Sequence, residues 1–276
     1  MKKSVNDFTN EEMNIVRECF DEYSVSEIAE LLNLTYYEVL YCIHKIYPSF
    51  YLYPLVPGIT ITDQKILIMS DTHIGSKFEN MDYSKEAKKF AIDNNIHTIL
   101  HTGDVIQSTC DNVLMKYQNQ TAQLEHLVMD FPYDPSIRYI MLFGNHDFNT
   151  FSKDEQYMNI FSSRKDFHLL GVKYGYINWL GTTIALVHPT KKYRIPIPTC
   201  GVFLLLRGHS HNLLYKKSST VYVSTLSDDK IQNPNSRPGF LVGTNYIDHI
   251  LLESYYFEES LHYGGAIFDK KVYVKK

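Results

Sequence analysis

From Lys65 onward the chain repeats one pattern: a short apolar run of strand length, followed at once by residues that bind cations. Ile66-Leu67-Ile68-Met69 runs into Asp71-Thr72-His73, Ile96 to Leu100 into Gly103-Asp104, and Ile137 to Phe143 into Gly144-Asn145-His146-Asp147. Later runs lead into His188 and into Gly208-His209-Ser210-His211. Amphipathic segments near 83–94 and 112–130 separate the first three runs, and alternation of strand with helix predicts a parallel α/β sheet. In such sheets the ligand crevice forms at the carboxyl ends of the strands, so residues far apart in sequence converge there. A single D-x-H after a strand is commonly a capped turn. Five such clusters in the same context require a fold that brings these strand ends together.

The flanks read differently. After about residue 165 the chain is strand-rich, with a hairpin through Gly181, further runs at Val202–Leu206, Val221–Thr225 and Phe240–Val242, and a terminal Val272-Tyr273-Val274. Apolar residues at helical spacing in 10–23, 26–34 and 35–47 predict three short helices, with Ser26 and Thr35 as N-caps. This segment resembles the helix-turn-helix units of small bacterial regulators. Pro48, Pro54, Pro57 and Gly58 stop the helical pattern, leaving an extended linker or a strand packed on the next domain. The expected division is a three-helix unit at 1–50, a linker at 51–63 and the main domain at 64–276.

Composition narrows the setting. Among 276 residues no apolar run approaches the roughly 18 needed to span a bilayer, so a soluble chain with no membrane contact is expected. Cys19, Cys42, Cys110 and Cys200 lack metal-ribbon or disulfide-framework spacing, which suits a reducing cytoplasm. Net charge is −4, and residues 1–50 hold four basic against nine acidic side chains. That balance repels phosphates, and the third helix offers Glu38, His44 and Lys45 but no Arg for guanine. The N-terminal unit is therefore expected to contact protein rather than DNA.

The ordered set D-x-H, G-D, G-N-H-D, H and G-H-x-H resembles the calcineurin-like metallophosphoesterases, over about residues 64 to 245. The resemblance implies a four-layer αββα sandwich with two facing mixed sheets and a site for two metal ions. By match to the family, Asp104 bridges the ions, Asp71, His73 and His211 complete one, and Asn145, His188 and His209 complete the other. His146 contacts the scissile phosphate or protonates the leaving oxygen, and Asp147 orients its ring. Two divalent ions about 3.5 to 4 Å apart can neutralise phosphoryl oxygens and generate hydroxide near neutral pH. Mixed oxygen and imidazole ligands suit manganese, iron, zinc or nickel better than magnesium or calcium, and manganese is the expected cofactor. Gly144 and Gly208 let backbone pass close to the ions. Of the other seven histidines, His101 is the one placed to support the ligands, three residues before Asp104.

Departures from relatives narrow the chemistry. Protein Ser/Thr phosphatases of the superfamily extend the second motif as G-D-x-x-D-R-G, whereas Gly103 to Thr109 reads G-D-V-I-Q-S-T and lacks the arginine. The short form looks more like the phosphodiesterase and nuclease branches. Pro189 follows His188 where several branches have Gly. Lys77, Lys191, Lys192 and Arg194, with Lys216-Lys217 beside Tyr215, form a candidate phosphate-binding rim. The reading is a dinuclear metal-dependent phosphodiesterase acting on nucleic acid or a nucleotide, through attack of a metal-activated hydroxide on phosphorus. The alternatives are a small-molecule phosphomonoesterase and a non-catalytic helix-turn-helix regulator or adaptor with a metal-binding domain.

Overall fold

A computed structural model describes residues 9–19, 25–35, 38–39, 42–43, 46, 59–108, 115–117, 119–151, 154–188, 202–215, 219–228, 236–257 and 267–275. The helices α1 (Asn10–Cys19) and α2 (Val25–Leu32) precede β1 (Ile59–Ile61) and β2 (Lys65–Met69). Then come α3 (Met81–Asp93), β3 (Thr98–His101), α4 (Gln120–Asp130), β4 (Arg138–Phe143), α5 (Asn145–Phe151) and α6 (Glu155–Ser162). Strands fill the rest: β5 (Phe167–Val172), β6 (Tyr174–Trp179), β7 (Thr182–Val187), β8 (Leu204–Arg207), β9 (Leu214–Tyr215) and β10 (Thr220–Tyr222). The last three are β11 (Gly239–Asn245), β12 (His249–Tyr256) and β13 (Ile267–Val274).

Two sheets face each other. One has the order β13-β12-β11-β2-β3-β4-β5 and the other β1-β6-β7-β8-β10-β9. Within the first, β2 to β5 run parallel, and within the second, β7, β8 and β10 do. Side chains alternate across a strand, so each central strand feeds two cores. Ile66 and Ile68 of β2, with Ile140 and Leu142 of β4, meet Ile177, Ile184, Leu186 and Leu206 of the facing sheet. Leu67, Met69, Tyr139, Met141 and Phe143 point the other way, onto Ala87, Leu124, Phe148 and Phe161 of the helices. Burial on both faces is why these strands read as unbroken apolar runs rather than as an alternation. This is the α/β sandwich with two facing mixed sheets that the family resemblance implied.

Several details go beyond the sequence reading. Of the two readings for the proline-bearing segment, extended linker or packed strand, Ile59–Ile61 takes the second, paired in parallel with Ile177–Trp179. The buried Trp179 fixes it further by donating from Nε1 to the carbonyl of Asp63 at 2.7 Å, so the sheet begins at residue 59, before the expected boundary at 64. Among the described residues the second amphipathic segment is helical from Gln120, where Asn119 caps it by accepting from the Ala122 N–H at 2.6 Å. Thr35 does act as an N-cap, in a reciprocal box with Glu38, whereas Ser26 lies inside α2. Strands β5 and β12 were not singled out. Val16, Ile28, Val39, Cys42 and Ile43 of the N-terminal segment are buried in the same apolar cluster as the helices of the main sheet. Among the described residues no helix is long and apolar enough to cross a membrane.

Candidate metal centre

The carboxyl ends of β2, β3 and β4 in one sheet and of β7 and β8 in the other meet at a single place. Asp71 Oδ1 lies 3.3 Å from His211 Nε2 and 3.8 Å from the Nε2 atoms of both His73 and His188. The Nε2 atoms of His73 and His211 are 3.2 Å apart. Asp104 Oδ2 is 2.9 Å from His188 Nε2 and 4.0 Å from Nε2 of both His73 and His146. Three groups of ligand atoms fall within 4.8 Å of one another: Asp71, His73 and His211; Asp104, His188 and His209; and His73, Asp104 and His146. Asn145 opens α5, with its Oδ1 buried.

Tight turns aim these side chains inward. Asp71, His73, Asp104, His209 and His211 all have positive φ, between 46° and 72°. The left-handed region costs a non-glycine residue on the order of 1–2 kcal/mol, so the surrounding structure must hold it. Packing around His188 supplies part of that hold. Gly103 has φ 113° and approaches so closely that an added Cβ would sit 2.3 Å from His188 Nδ1. At Gly144 the same atom would lie 2.2 Å from Asp104 Oδ1.

The imidazoles are braced from behind. His188 Nδ1 lies 2.8 Å from the Thr102 carbonyl. His73 Nδ1 lies 2.9 Å from Gln107 Oε1, and His146 Nδ1 2.7 Å from the Gln107 carbonyl. The Asp147 carboxylate, expected to orient the His146 ring, accepts the backbone N–H groups of Gly144, Val105 and Ile106 at 2.8, 3.1 and 2.9 Å. It locks the loop after β4 to the loop after β3. His101 is fully buried; its Nδ1 accepts from the Gly103 N–H at 3.2 Å and its Nε2 faces Thr72 Oγ1 at 3.1 Å, so it ties the D-x-H turn to the G-D turn. Sequence reasoning missed Gln107, Thr102, Ser70, which donates to Asp71 Oδ2, and Thr225, which donates to the Asp71 carbonyl at 2.8 Å.

The profile of the calcineurin-like phosphoesterases matches residues 64–236, well over half of the chain and all of the residues just described. The chain belongs to the calcineurin-like phosphoesterase family. Among solved structures it is similar to the E. coli phosphoesterase Yfce, with 14% identity, a TM-score of 0.48, and coverage of 76% of this chain and 99% of that one. Vacuolar Protein Sorting 29 from Cryptosporidium parvum is also similar, at 15% identity and a TM-score of 0.42, covering 78% of this chain and 98% of that one. No curated protein matches.

The donors of this calcineurin-like phosphoesterase suit a pair of divalent ions. Asn145 Oδ1 and His209 Nε2 are buried without a hydrogen-bond partner, an arrangement that costs free energy until something shares those lone pairs, while Asp71 Oδ1 and His188 Nε2 face only other members of the cluster, His211 Nε2 at 3.3 Å and Asp104 Oδ2 at 2.9 Å. A tetrahedral ion with bonds near 2.0–2.1 Å holds its ligand atoms about 3.4 Å apart. The Asp71, His73 and His211 separations, from 3.2 to 3.8 Å, bracket that value.

Electrostatics set the protonation states. Burial would raise the Asp71 and Asp104 carboxyls, but nearby imidazoles, His188 foremost, hold both below the usual range, so both are charged. Burial lowers His73 to about 3 and His209 to about 4, leaving them neutral, the form that ligates. Burial also lowers His101 to about 4. For His188 burial is outweighed by Asp104 and Asp71, which lift it to about 9. Burial and the Asp104 charge push Asp147 up to about 7, against three backbone N–H groups that favour its charged form. Of the expected rim, Lys77 is exposed two residues beyond Gly75, and Lys191, Lys192 and Arg194 lie outside the described residues.

Proposed function

We propose that this protein is a dinuclear metal-dependent phosphodiesterase whose substrate is a nucleotide or nucleic acid. The observation that carries the reading is the convergence of Asp71, His73, Asp104, His188, His209 and His211 on one spot beside the partly exposed His146, with Asn145 Oδ1 and His209 Nε2 buried there and partnerless. Asp71, His73 and His211 would hold one ion, Asn145, His188 and His209 the other, and Asp104 would bridge. Bound there, two divalent ions, manganese first among them, supply the positive charge and water activation that phosphoester hydrolysis needs. The protein's own part is positioning and proton transfer. With Nδ1 held by the Gln107 carbonyl and its backbone N–H on Asp104 Oδ1 at 3.0 Å, His146 presents Nε2 to a phosphoryl or leaving-group oxygen. Its side chain is 16% exposed, enough to reach a substrate.

A cleft of about 590 Å³ beside the His211 turn supports the substrate class. Tyr215, Arg237, Tyr256, Lys270 and Lys271 line it, and the residue before Arg237, Ser236, donates to the His211 carbonyl at 3.4 Å. Cations interleaved with tyrosine rings are the combination that binds phosphate and stacks bases. Parallel assays of bis-p-nitrophenyl phosphate, p-nitrophenyl phosphate and labelled single- and double-stranded DNA, with and without Mn²⁺, test the reading. Metal-dependent cleavage of the diester and of DNA is expected. Exclusive monoester cleavage would make the protein a phosphomonoesterase, and Mn²⁺ binding without any hydrolysis would make it an adaptor.

A further inference from the structure

Gln107 sits in the loop that follows the bridging Asp104, 2% exposed, and meets two imidazoles from different parts of the chain. Its side-chain Oε1 is 2.9 Å from Nδ1 of His73, which comes from the turn after β2. Its main-chain carbonyl is 2.7 Å from Nδ1 of His146, which comes from α5. The two rings meet edge to face with centroids 4.9 Å apart. The Gln107 backbone is anchored, its N–H donating to the Ile74 carbonyl at 2.8 Å beside the bridge between Ile74 and Ile106.

We propose that Gln107 is a positioning residue that fixes the tautomer and direction of His73 and His146 together, and thereby builds one of the two ion sites. The inference rests on the two-ion reading above. Both contacts are carbonyl oxygens, which only accept, so each ring carries its hydrogen on Nδ1. A neutral imidazole protonated there has its lone pair on Nε2. Both Nε2 atoms lie 4.0 Å from Asp104 Oδ2, on the side where the ligand atoms converge. The opposite tautomer would turn an N–H of His73 towards the ion site and exclude a cation. One four-residue stretch, 104–107, thus supplies the bridging carboxylate and sets two rings contributed by other segments.

The two contacts separate experimentally because a substitution removes the side-chain contact and leaves the main-chain one. Gln107→Leu should weaken the ion held by Asp71, His73 and His211 by about 10- to 100-fold, the usual consequence of losing a group that orients a ligand. The ion held by Asn145, His188 and His209 should bind as in wild type. Gln107→Glu keeps an acceptor and should restore the lost affinity. Calorimetric titration of the full chain with Mn²⁺ reads all three, and nitrogen-15 shifts of the histidine rings in the metal-free wild-type protein report the tautomer of His73 directly. Wild-type affinity at both sites in Gln107→Leu, failure of Gln107→Glu to restore it, or an Nε2–H tautomer at His73 would overturn the proposal. If the wild-type protein binds fewer than two ions, the two-ion reading fails instead, and the tautomer measurement still decides the role of Gln107. The same measurement decides it if Gln107→Leu does not fold.

Discussion

Replacing Gly144 by alanine adds one methyl group, and the structure makes its effect calculable. The new Cβ would stand 2.2 Å from Asp104 Oδ1, 2.7 Å from the Asp104 backbone nitrogen and 2.7 Å from His188 Cδ2. The nitrogen cannot swing aside, and Oδ1 is fixed by the His146 N–H at 3.0 Å, so relief requires moving the loop after β3 by about an ångström. Overpacking of this kind costs about 1–3 kcal/mol, and with backbone on one side the upper end applies. At about 2–4 °C per kcal/mol for a large domain, Tm should fall by roughly 6–12 °C. A displacement of about 1 Å at the bridging carboxylate should also reduce turnover about 100-fold. Gly181→Ala is the control: its φ is 80° but nothing lies within 4 Å of the added atom, so only backbone strain of about 1 kcal/mol is added. Thermal melts and metal analysis of both variants provide the test. A Gly144→Ala protein with wild-type Tm and full metal content would refute the packing argument.

On the proposed role of His146 at the phosphoryl group, His146→Ala should lower kcat by about 10²- to 10⁴-fold while metal content stays near wild type; full activity on a diester with a poor leaving group would contradict this. Alkaline stability should fall as pH rises above about 10, the ordinary tyrosine value. Burial raises the Tyr139 hydroxyl, which donates to the Pro132 carbonyl at 2.9 Å, and pushes Tyr273 up to about 12. Both favour the neutral form in the folded state, so their contribution is complete below the unfolded value and disappears as pH climbs through the folded one. Melts recorded alongside tyrosinate absorbance check it; ionisation of every tyrosine near 10 with no loss of Tm would count against it.

The strand ends were legible because apolar runs and their terminating residues are local signals. Ile66 to Met69 and Ile137 to Phe143 announce themselves by length and composition, whereas the sandwich came from the resemblance of the motif set to a known family. What escaped depends on contacts between segments distant in sequence. Nothing in G-D-V-I-Q-S-T says that Gln107 crosses to His73, since that follows from how the loops after β2 and β3 lie against each other. The bonds of Asp147 were not legible for the same reason: the first turn of α5 directs its carboxylate to backbone N–H groups of another loop. A strand before residue 64 was one of two readings for the proline-bearing segment, but its partner was not legible, because the pairing of Ile59–Ile61 with β6 spans more than a hundred residues.

The sandwich is laced unevenly. Over most of its area the two sheets touch through apolar side chains, Trp179 and Tyr273 among them, which resist separation but are indifferent to small slips. At the strand-end rim the contacts are directional: the His209 N–H donates to Asp71 Oδ2 at 3.1 Å, the Leu226 N–H to the Ser70 carbonyl at 2.9 Å, and His188 Nδ1 meets the Thr102 carbonyl. The far margin is tied as well, since Asn245 Nδ2 of β11 donates to the Trp179 carbonyl of β6 at 2.7 Å. Slow opening should therefore be resisted at both ends of the strands, at the ligand rim and beside the Leu180-Gly181 turn. Amide exchange should register ions seated in the rim as added protection of the strand ends there, with the Trp179–Asn245 end unchanged.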